Sequence, residues 1–521
     1  MTKRLKPLAL SVAVASTLLS TGVSANTFAQ LSQLGSTYFH QSTPGSASNA
    51  LFNAEIAAYD ALTSTLWVSG ISGVDILNVT SSGLTFNSRI DTSPFGHINS
   101  IAIHNGVAAF ALEGAGINRQ NAGFVQFYNT STRSLAAGVH TVSVGALPDM
   151  LTFTADGSKL LVANEGTPNT YGSGLDPVGG VSIIDMATRS VNNVALSNNL
   201  PTSGSALRSG LPFNYEPEYI AVNSAGTKAY VTLQEHNGLA MLDLNTQQFT
   251  GVVGLGLKDY SLAANGNATP ISNAIDATDR PTGTVSFINQ NLKGAYQPDA
   301  IATYEVGGQT FLVMANEGDA QENDGDVARA SSLGYLSGDA GRTNVIKDLS
   351  SPGNLVTMGG RSFSIRDAAG NLVFDSGNIL ETQAHARGIY DDNRSDDKGV
   401  EPEGVTLRTI GGRTYAFVGL ERTTKAAVAV FDITDPANAA FVDMIVTNGV
   451  SRPEGLTTFI KDNMVYLAFS NEGLGDASAT GMGTALYTLA PVPEPENWAM
   501  LLGGLGLVGW IRRRQTTKHP V

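Results

Sequence analysis

The chain has 521 residues, 57 of them glycine and none cysteine, with 15% charged residues, 42% hydrophobic residues and a net charge of −14. Glycine at about one residue in nine, without a Gly-X-Y period, excludes collagen, while the apolar content argues against disorder and the low charge against a coiled coil. The missing cysteines remove disulfides, thiolate metal sites and cysteine nucleophiles, and the acidity disfavours nucleic acid, which needs a basic face.

The N-terminus opens with Lys3, Arg4 and Lys6, continues with an apolar run from Pro7 to Leu19, and reaches Val23-Ser24-Ala25. This order of basic, apolar and small residues predicts a secretory signal over 1–25, cut after Ala25, because the run is too short to span a bilayer. The body is assigned to 26–490. Its first residues, near Phe28–Phe39, are expected to pair with the last sheet and remove an open edge.

Five segments then begin with proline and an acid: Pro148-Asp149, Pro217-Glu218, Pro298-Asp299, Pro402-Glu403 and Pro453-Glu454. Each leads into an apolar strand, a short turn and a second apolar strand that ends at or beside Glu165, Glu235, Glu317, Glu421 or Glu472. Weaker copies start at Glu55 and Ser100. Third strands follow, as in GVSIIDM at 180–186, LAMLDL at 239–244 and AVAVFDI at 427–433, and fourth strands at 250–257 and 440–446 complete some units. Period-two alternation in four short strands, repeated about every 50 residues, is the signature of a propeller blade. Seven copies of one hairpin favour a propeller over a β-sandwich. The fold class expected is all-β: a seven-bladed β-propeller of four-stranded antiparallel blades, with a long insertion, about 319–400, in the fifth blade. That insertion contains an apparent hairpin, Phe363 to Phe374, and an acidic run from Asp391 to Asp397.

The chain ends with Pro493-Glu494-Pro495, an apolar stretch from Trp498 to Ile511, and Arg512-Arg513-Arg514. This segment, 491–521, resembles the PEP-CTERM sorting signal. The resemblance implies recognition by an exosortase-type enzyme, transient retention in the inner membrane of a Gram-negative bacterium, and delivery to the cell surface or extracellular matrix. The phrases LLVANEGTPN, EPEYIAVNSAGTKAYVTLQE, PDAIATYEVGGQTFLVMANEGDA, RSDDKGVEPEGV and GGRTYAFVGLER resemble the choice-of-anchor I family over most of residues 50–490. These are extracellular bacterial propellers with differing C-terminal anchors. The resemblance implies an exported, surface-associated propeller and transfers no reaction.

Antiparallel pairing puts the first acid and the second acid of each unit at the same end of a blade. Asp149, Glu165, Glu218, Glu235, Asp299, Glu317, Glu403, Glu421, Glu454 and Glu472 should therefore gather on one face. Carboxylates brought together repel unless they are protonated, paired with bases or bridged by a cation. Oxygen donors alone suit Ca²⁺ or Mg²⁺ rather than zinc. The acids Glu322, Asp324, Asp326, Asp391, Asp392, Asp396 and Asp397 of the insertion are further candidate ligands, although they match no EF-hand. The bland alternative is that strand-end acids lock blade to blade through backbone hydrogen bonds.

No Gly-x-Ser-x-Gly, Walker or His-Glu-x-x-His motif occurs in the sequence. His236 and His385 are candidate acid–base groups, each more often a packed or solvated residue. Two functions stay open. One is a non-enzymatic surface propeller that binds a polysaccharide or surface protein through its acidic face. The other is a metal-dependent phosphoesterase, alkaline phosphatase-like or phytase-like, with Arg422 and Arg452 gripping the substrate.

Overall fold

Short apolar strands joined by tight turns bury one another only by stacking as sheets, and the chain does so in order of sequence. The computed structural model describes residues 31–41, 52, 54–113, 116, 119–170, 172–320, 325–473 and 482–489. The signal segment with Ala25, the sorting segment with Pro493, Glu494, Pro495, Arg512, Arg513 and Arg514, and the candidate ligands Glu322 and Asp324 lie outside the described residues.

The first sheet is an antiparallel meander of Ala57–Asp60, Thr65–Gly70, Gly73–Thr80 and Gly83–Asp91. The same construction recurs down the chain. A second sheet opens with Ile98–His104, a third with Pro148–Phe153, a fourth with Ile220–Val222, a fifth with Ile301–Val306 and a sixth with Pro402–Ile410. In the last, Pro453–Lys461, Met464–Asn471 and Gly483–Leu489 supply three strands, and Leu31–Gln33 supplies the fourth by pairing antiparallel with Gly483–Leu489. Each sheet's first strand packs against the first strand of the next, and Pro453–Lys461 packs against Ala57–Asp60. The fold is an all-β propeller of mainly four-stranded antiparallel sheets.

Two kinds of contact hold neighbouring sheets together. Side chains of facing sheets share apolar clusters, as where Phe363 and Phe374 of the fifth sheet meet Phe431 and Met444 of the sixth. At the inner ends the backbones themselves approach closely. A Cβ placed on Gly404 would lie 2.2 Å from the Glu454 carbonyl oxygen, so only glycine fits beside the next sheet there.

The insertion is arranged differently from the expectation. Ser362–Asp367 pairs with Gln309–Asn316, and Leu372–Asp375 pairs with Ser362–Asp367, so the hairpin read inside the insertion is the outer half of the fifth sheet. Strict alternation carries no information on which strand a hairpin will join. What remains is a crown from the described residues of three stretches, 256–300, 317–361 and 376–401. Leu257–Asp259, Lys293–Ala295 and Val356–Thr357 form its small sheet, and Tyr260, Ile275 and Val345 are buried in one of its apolar clusters. Many of its charges are paired, some within it and others with neighbouring elements, as Arg387 is with Asp443 and Asp326 with Arg208. Arg361, 1% exposed, donates to the Asp276, Ser395 and Asp397 carbonyls and sits 3.2 Å from Glu381.

The N-terminal segment adds a clip between the first and last sheets. Fully buried His40 lies 2.8 Å from Asp75 Oδ2 through Nδ1 and 2.8 Å from Thr484 Oγ1 through Nε2, while Arg89 holds the other Asp75 oxygen at 2.6 Å. His40→Ala strands Asp75 and Thr484 without this partner, and the loss of two buried hydrogen bonds is expected to cost on the order of 2–4 kcal/mol. Urea unfolding should show a lower midpoint with an unchanged m-value; an unchanged midpoint would deny the clip its role.

Candidate functional site

The proline–acid dipeptides create the site through backbone geometry. Proline has no N–H to lose and tolerates the first position of a strand. The residue before it adopts the left-handed region in four repeats: Leu147 (φ 46), Gln297 (φ 43), Glu401 (φ 47) and Arg452 (φ 57). Non-glycine residues in that region carry a conformational cost and tend to mark functional places. Their carbonyls are used: Leu147 accepts from the Glu165 N–H at 2.9 Å, Glu401 from Glu421 at 2.9 Å and Arg452 from Glu472 at 3.0 Å. The pairing register then slips between Pro148 and Leu151, Pro402 and Val405, and Pro453 and Leu456. These bulges hold Asp149, Glu403 and Glu454 beside the acids that end the second strands.

The asparagine before three of the second acids pins the strand from the other side. Asn471 Nδ2 donates to the Gly483 carbonyl at 2.8 Å, and Asn164 Nδ2 reaches Ser182 Oγ at 2.9 Å. Asn316, fully buried, lies 3.3 Å from Ser362 Oγ.

All ten acids named from the repeats line one cavity of about 440 Å³. Asp319 makes an eleventh carboxylate, against three bases, Arg119, Lys398 and Arg422. Asp149, Asp299, Glu454 and Glu472 also line a second chamber of about 200 Å³, together with Glu55 and Tyr219. That chamber shares Ile56, Met150 and Tyr219 with a third space of about 280 Å³, lined largely by Ala58, Ile101, Ile103, Leu456 and Phe459. The interior between the sheets thus grades from carboxylate to a lining without charged side chains.

Charge in the upper chamber is only partly matched. Lys398 Nζ is 2.7 Å from Glu317 Oε1 and 2.9 Å from Glu401 Oε2, and Arg422 Nη2 is 2.9 Å from Glu421 Oε1. Gln234 donates to Glu317 Oε2 at 2.7 Å, and Thr167 donates to Glu165. Glu235 and Glu403, 7% and 9% exposed, each keep one carboxylate oxygen with no hydrogen-bond partner. Oxygens of Glu317, Glu403 and Glu421 all lie within 4.8 Å of one another.

Burial, and after it the neighbouring carboxylates, hold protons on this set. Burial pushes Asp149 up to about 6 against the pull of Arg119. Burial together with Asp319 takes Glu235 to about 8, and burial with Glu317 and Glu401 takes Glu421 to about 8. Glu165, Glu218, Asp299, Glu403 and Glu454 rise well above the usual carboxylate range for the same two reasons, and Glu317 rises despite Lys398.

Other residues singled out in the sequence lie elsewhere. Arg422 lines the cavity but Arg452 does not; its contribution is the strained backbone carbonyl. His236, though next to Glu235, is buried edge-on to Phe213 and Tyr215, and burial holds its pKa down to about 3, which leaves it neutral. His385 packs against Phe287 and Tyr390 on the helix Ile379–Ala386. The described candidate acids of the insertion are engaged away from the cavity: Asp326 pairs with Arg208, Asp396 with Arg329 and Arg342, and Asp397 with Arg394. Asp391 caps a short helical turn through the Asn393 N–H, and Asp392 accepts from the Gly283 N–H at 2.5 Å. Asp319, Lys398, Gln234 and Arg119 were not found from the sequence. Asp319 had a signal, two residues beyond Glu317, and Lys398 stands amid acids in the run to Glu403.

The raised carboxylates fix the sign of a pH dependence. The folded chain keeps protons that an unfolded chain, with carboxylates near pH 4, has released. Their stabilising contribution is complete below about pH 4 and is lost as pH rises through about 8. Scanning calorimetry of chelator-treated protein should show the melting temperature falling from pH 5 to pH 8.5. Glu235→Gln should flatten that fall, and a rising curve would contradict the shifts.

Solved structures with a similar outline include hydrazine synthase of Kuenenia stuttgartiensis, at 10% identity and a TM-score of 0.46, over 83% of this chain and 96% of that one. The WD40 domain of Toxoplasma gondii coronin gives 9% identity and 0.45, over 90% and 87%. The β-propeller domain of Myceliophteria thermophila Cps50 (Swd1) gives 9% and 0.43, over 84% and 96%. Likeness at this level adds nothing to the fold read from the sheets themselves. No curated protein matches the chain in sequence. The choice-of-anchor I domain matches residues 55–352 and 332–436, a span that contains eight of the ten repeat acids and Lys398, and the chain belongs to the choice-of-anchor I family.

Proposed function

We propose that this chain is an exported, seven-bladed β-propeller of the cell surface or extracellular matrix, whose acidic cavity binds a divalent cation, Ca²⁺ or Mg²⁺, and through it a polysaccharide or surface protein. Export rests on the signal-like segment ending at Ala25, the sorting-like tail with its exosortase partner, and the family. The blade count rests on the sheets of four or five strands and on the contact of Pro453–Lys461 with Ala57–Asp60.

The cation rests on one observation above all: Glu317, Glu403 and Glu421 present oxygens within 4.8 Å of one another, and one oxygen of Glu403 is buried without a partner. Two ligands on opposite sides of a Ca²⁺ ion, at 2.3–2.6 Å each, are separated by about that distance. A cation there would relieve the repulsion that otherwise needs protons. Thr167, which donates to Glu165, is the one hydroxyl among the described residues that line the cavity, against eleven carboxylates, so cation binding accounts for the residues better than hydrolysis does.

Titration of the chelator-stripped protein with CaCl₂ or MgCl₂ should release or take up heat and raise the melting temperature by several degrees, since a hundredfold excess over Kd stabilises by about 2.7 kcal/mol. Glu403→Gln and Glu421→Gln should weaken binding at least tenfold. Absence of both heat and stabilisation would sink the cation. Turnover of p-nitrophenyl phosphate, bis-p-nitrophenyl phosphate or phytate, abolished by Glu218→Ala or Glu403→Ala, would replace the binding function with a phosphoesterase.

A further inference from the structure

Lys398 stands apart among the bases of the acidic cavity. Its Nζ lies 2.7 Å from Glu317 Oε1, 2.9 Å from Glu401 Oε2 and 3.4 Å from Asp319 Oδ1, so three carboxylates surround one ammonium. Glu317 belongs at the same time to the trio with Glu403 and Glu421, and Glu403, nine-tenths buried, keeps an unpartnered oxygen in that space. One carboxylate is therefore shared between a cation the chain carries and a cluster shaped for a cation it does not.

The lysine is placed there by construction. Arg361 fixes its loop by donating to the Ser395 carbonyl at 2.8 Å and the Asp397 carbonyl at 3.0 Å. Next to it, Gly399 has φ +68, and a Cβ on it would fall 2.6 Å from Glu381 Oε1. The backbone is held, while the ammonium is carried on a four-carbon stem whose torsions can turn without moving that backbone.

We infer that Lys398 is a tethered competitor of the divalent cation: its ammonium occupies a ligand position at Glu317 and must swing aside before a metal ion completes its coordination there. The lysine sets the threshold concentration at which the cavity fills, and it keeps Glu317 neutralised while the cavity holds no metal. The inference rests on the reading of the cavity as a cation site.

The test is calorimetric titration of the chelator-stripped full chain with CaCl₂, comparing wild type, Lys398→Met and Arg119→Met. Arg119 lines the same cavity but pairs with Glu113 rather than with Glu317, Glu403 or Glu421, so its variant removes the same charge without freeing a ligand and measures the electrostatic gain. Lys398→Met should bind Ca²⁺ at least tenfold more tightly than Arg119→Met, or take up one further equivalent. Equal or weaker binding by Lys398→Met overturns the inference and leaves the cation reading of the wild type standing. Binding by Lys398→Met but not by wild type supports the competitor and removes the cation from the wild-type function; binding by neither overturns both. Should Lys398→Met not fold, Lys398→Gln serves in the same comparison.

Discussion

Mutual repulsion among buried carboxylates is the constraint on which this molecule turns. Among the described residues, eleven acids face one cavity with three bases. Glu235, Glu317, Glu403 and Glu421 are buried and the others partly so, which strips much of the water that would screen them, and each charge raises the cost of the next. The cavity exists because the repeats demand it: every unit that starts with proline and an acid delivers its two carboxylates to the same end of its sheet. A chain could satisfy this crowding with protons, with its own bases or with a captured ion. Lys398 supplies a base, burial raises the carboxylates toward their protonated form, and the unpartnered oxygens of Glu235 and Glu403 leave room for the third.

The architecture that imposes the crowding also has to withstand it. There are no cysteines to staple the chain. Cohesion comes from apolar clusters shared between facing sheets, from glycines such as Gly404 that let backbones touch, and from the pairing of Leu31–Gln33 with the final strand. His40, buried between Asp75 and Thr484, ties the N-terminal segment to both the first and the last sheet. The crown supplies Asp319 and Lys398 to the cavity, and its Arg329, Arg342, Arg361 and Arg394 pair with its own carboxylates.

Most of this was legible in the residues. The Pro-acid starts and the acids 16–18 residues later located the cavity lining, because a hairpin's strands return to the same end whatever the loops do. The pairing of the N-terminal stretch with the last sheet followed from the need to close an edge. The crown was harder. Phe363 to Phe374 alternates as a strand pair must, but only tertiary contact decides that it completes the fifth sheet rather than standing above it. The 256–300 stretch, poor in alternation, gave no sign that Leu257–Asp259 and Lys293–Ala295 join the crown. Nor did the sequence separate acids that face the cavity from those that face arginine: Asp319 and Asp326 are seven residues apart and do opposite things. The strained residue before the proline also carried no sequence signal, since Leu147, Gln297, Glu401 and Arg452 have nothing in common but the proline that follows.

The central claim is that a divalent cation shares this cavity with the carboxylates, and a crystal structure grown in CaCl₂ tests it most directly, with anomalous scattering to identify the ion. The account predicts an anomalous peak 2.3–2.6 Å from oxygens of Glu317, Glu403 and Glu421, with the Lys398 ammonium withdrawn from Glu317. A cavity holding only water, with Lys398 still at Glu317 under saturating CaCl₂, would contradict it.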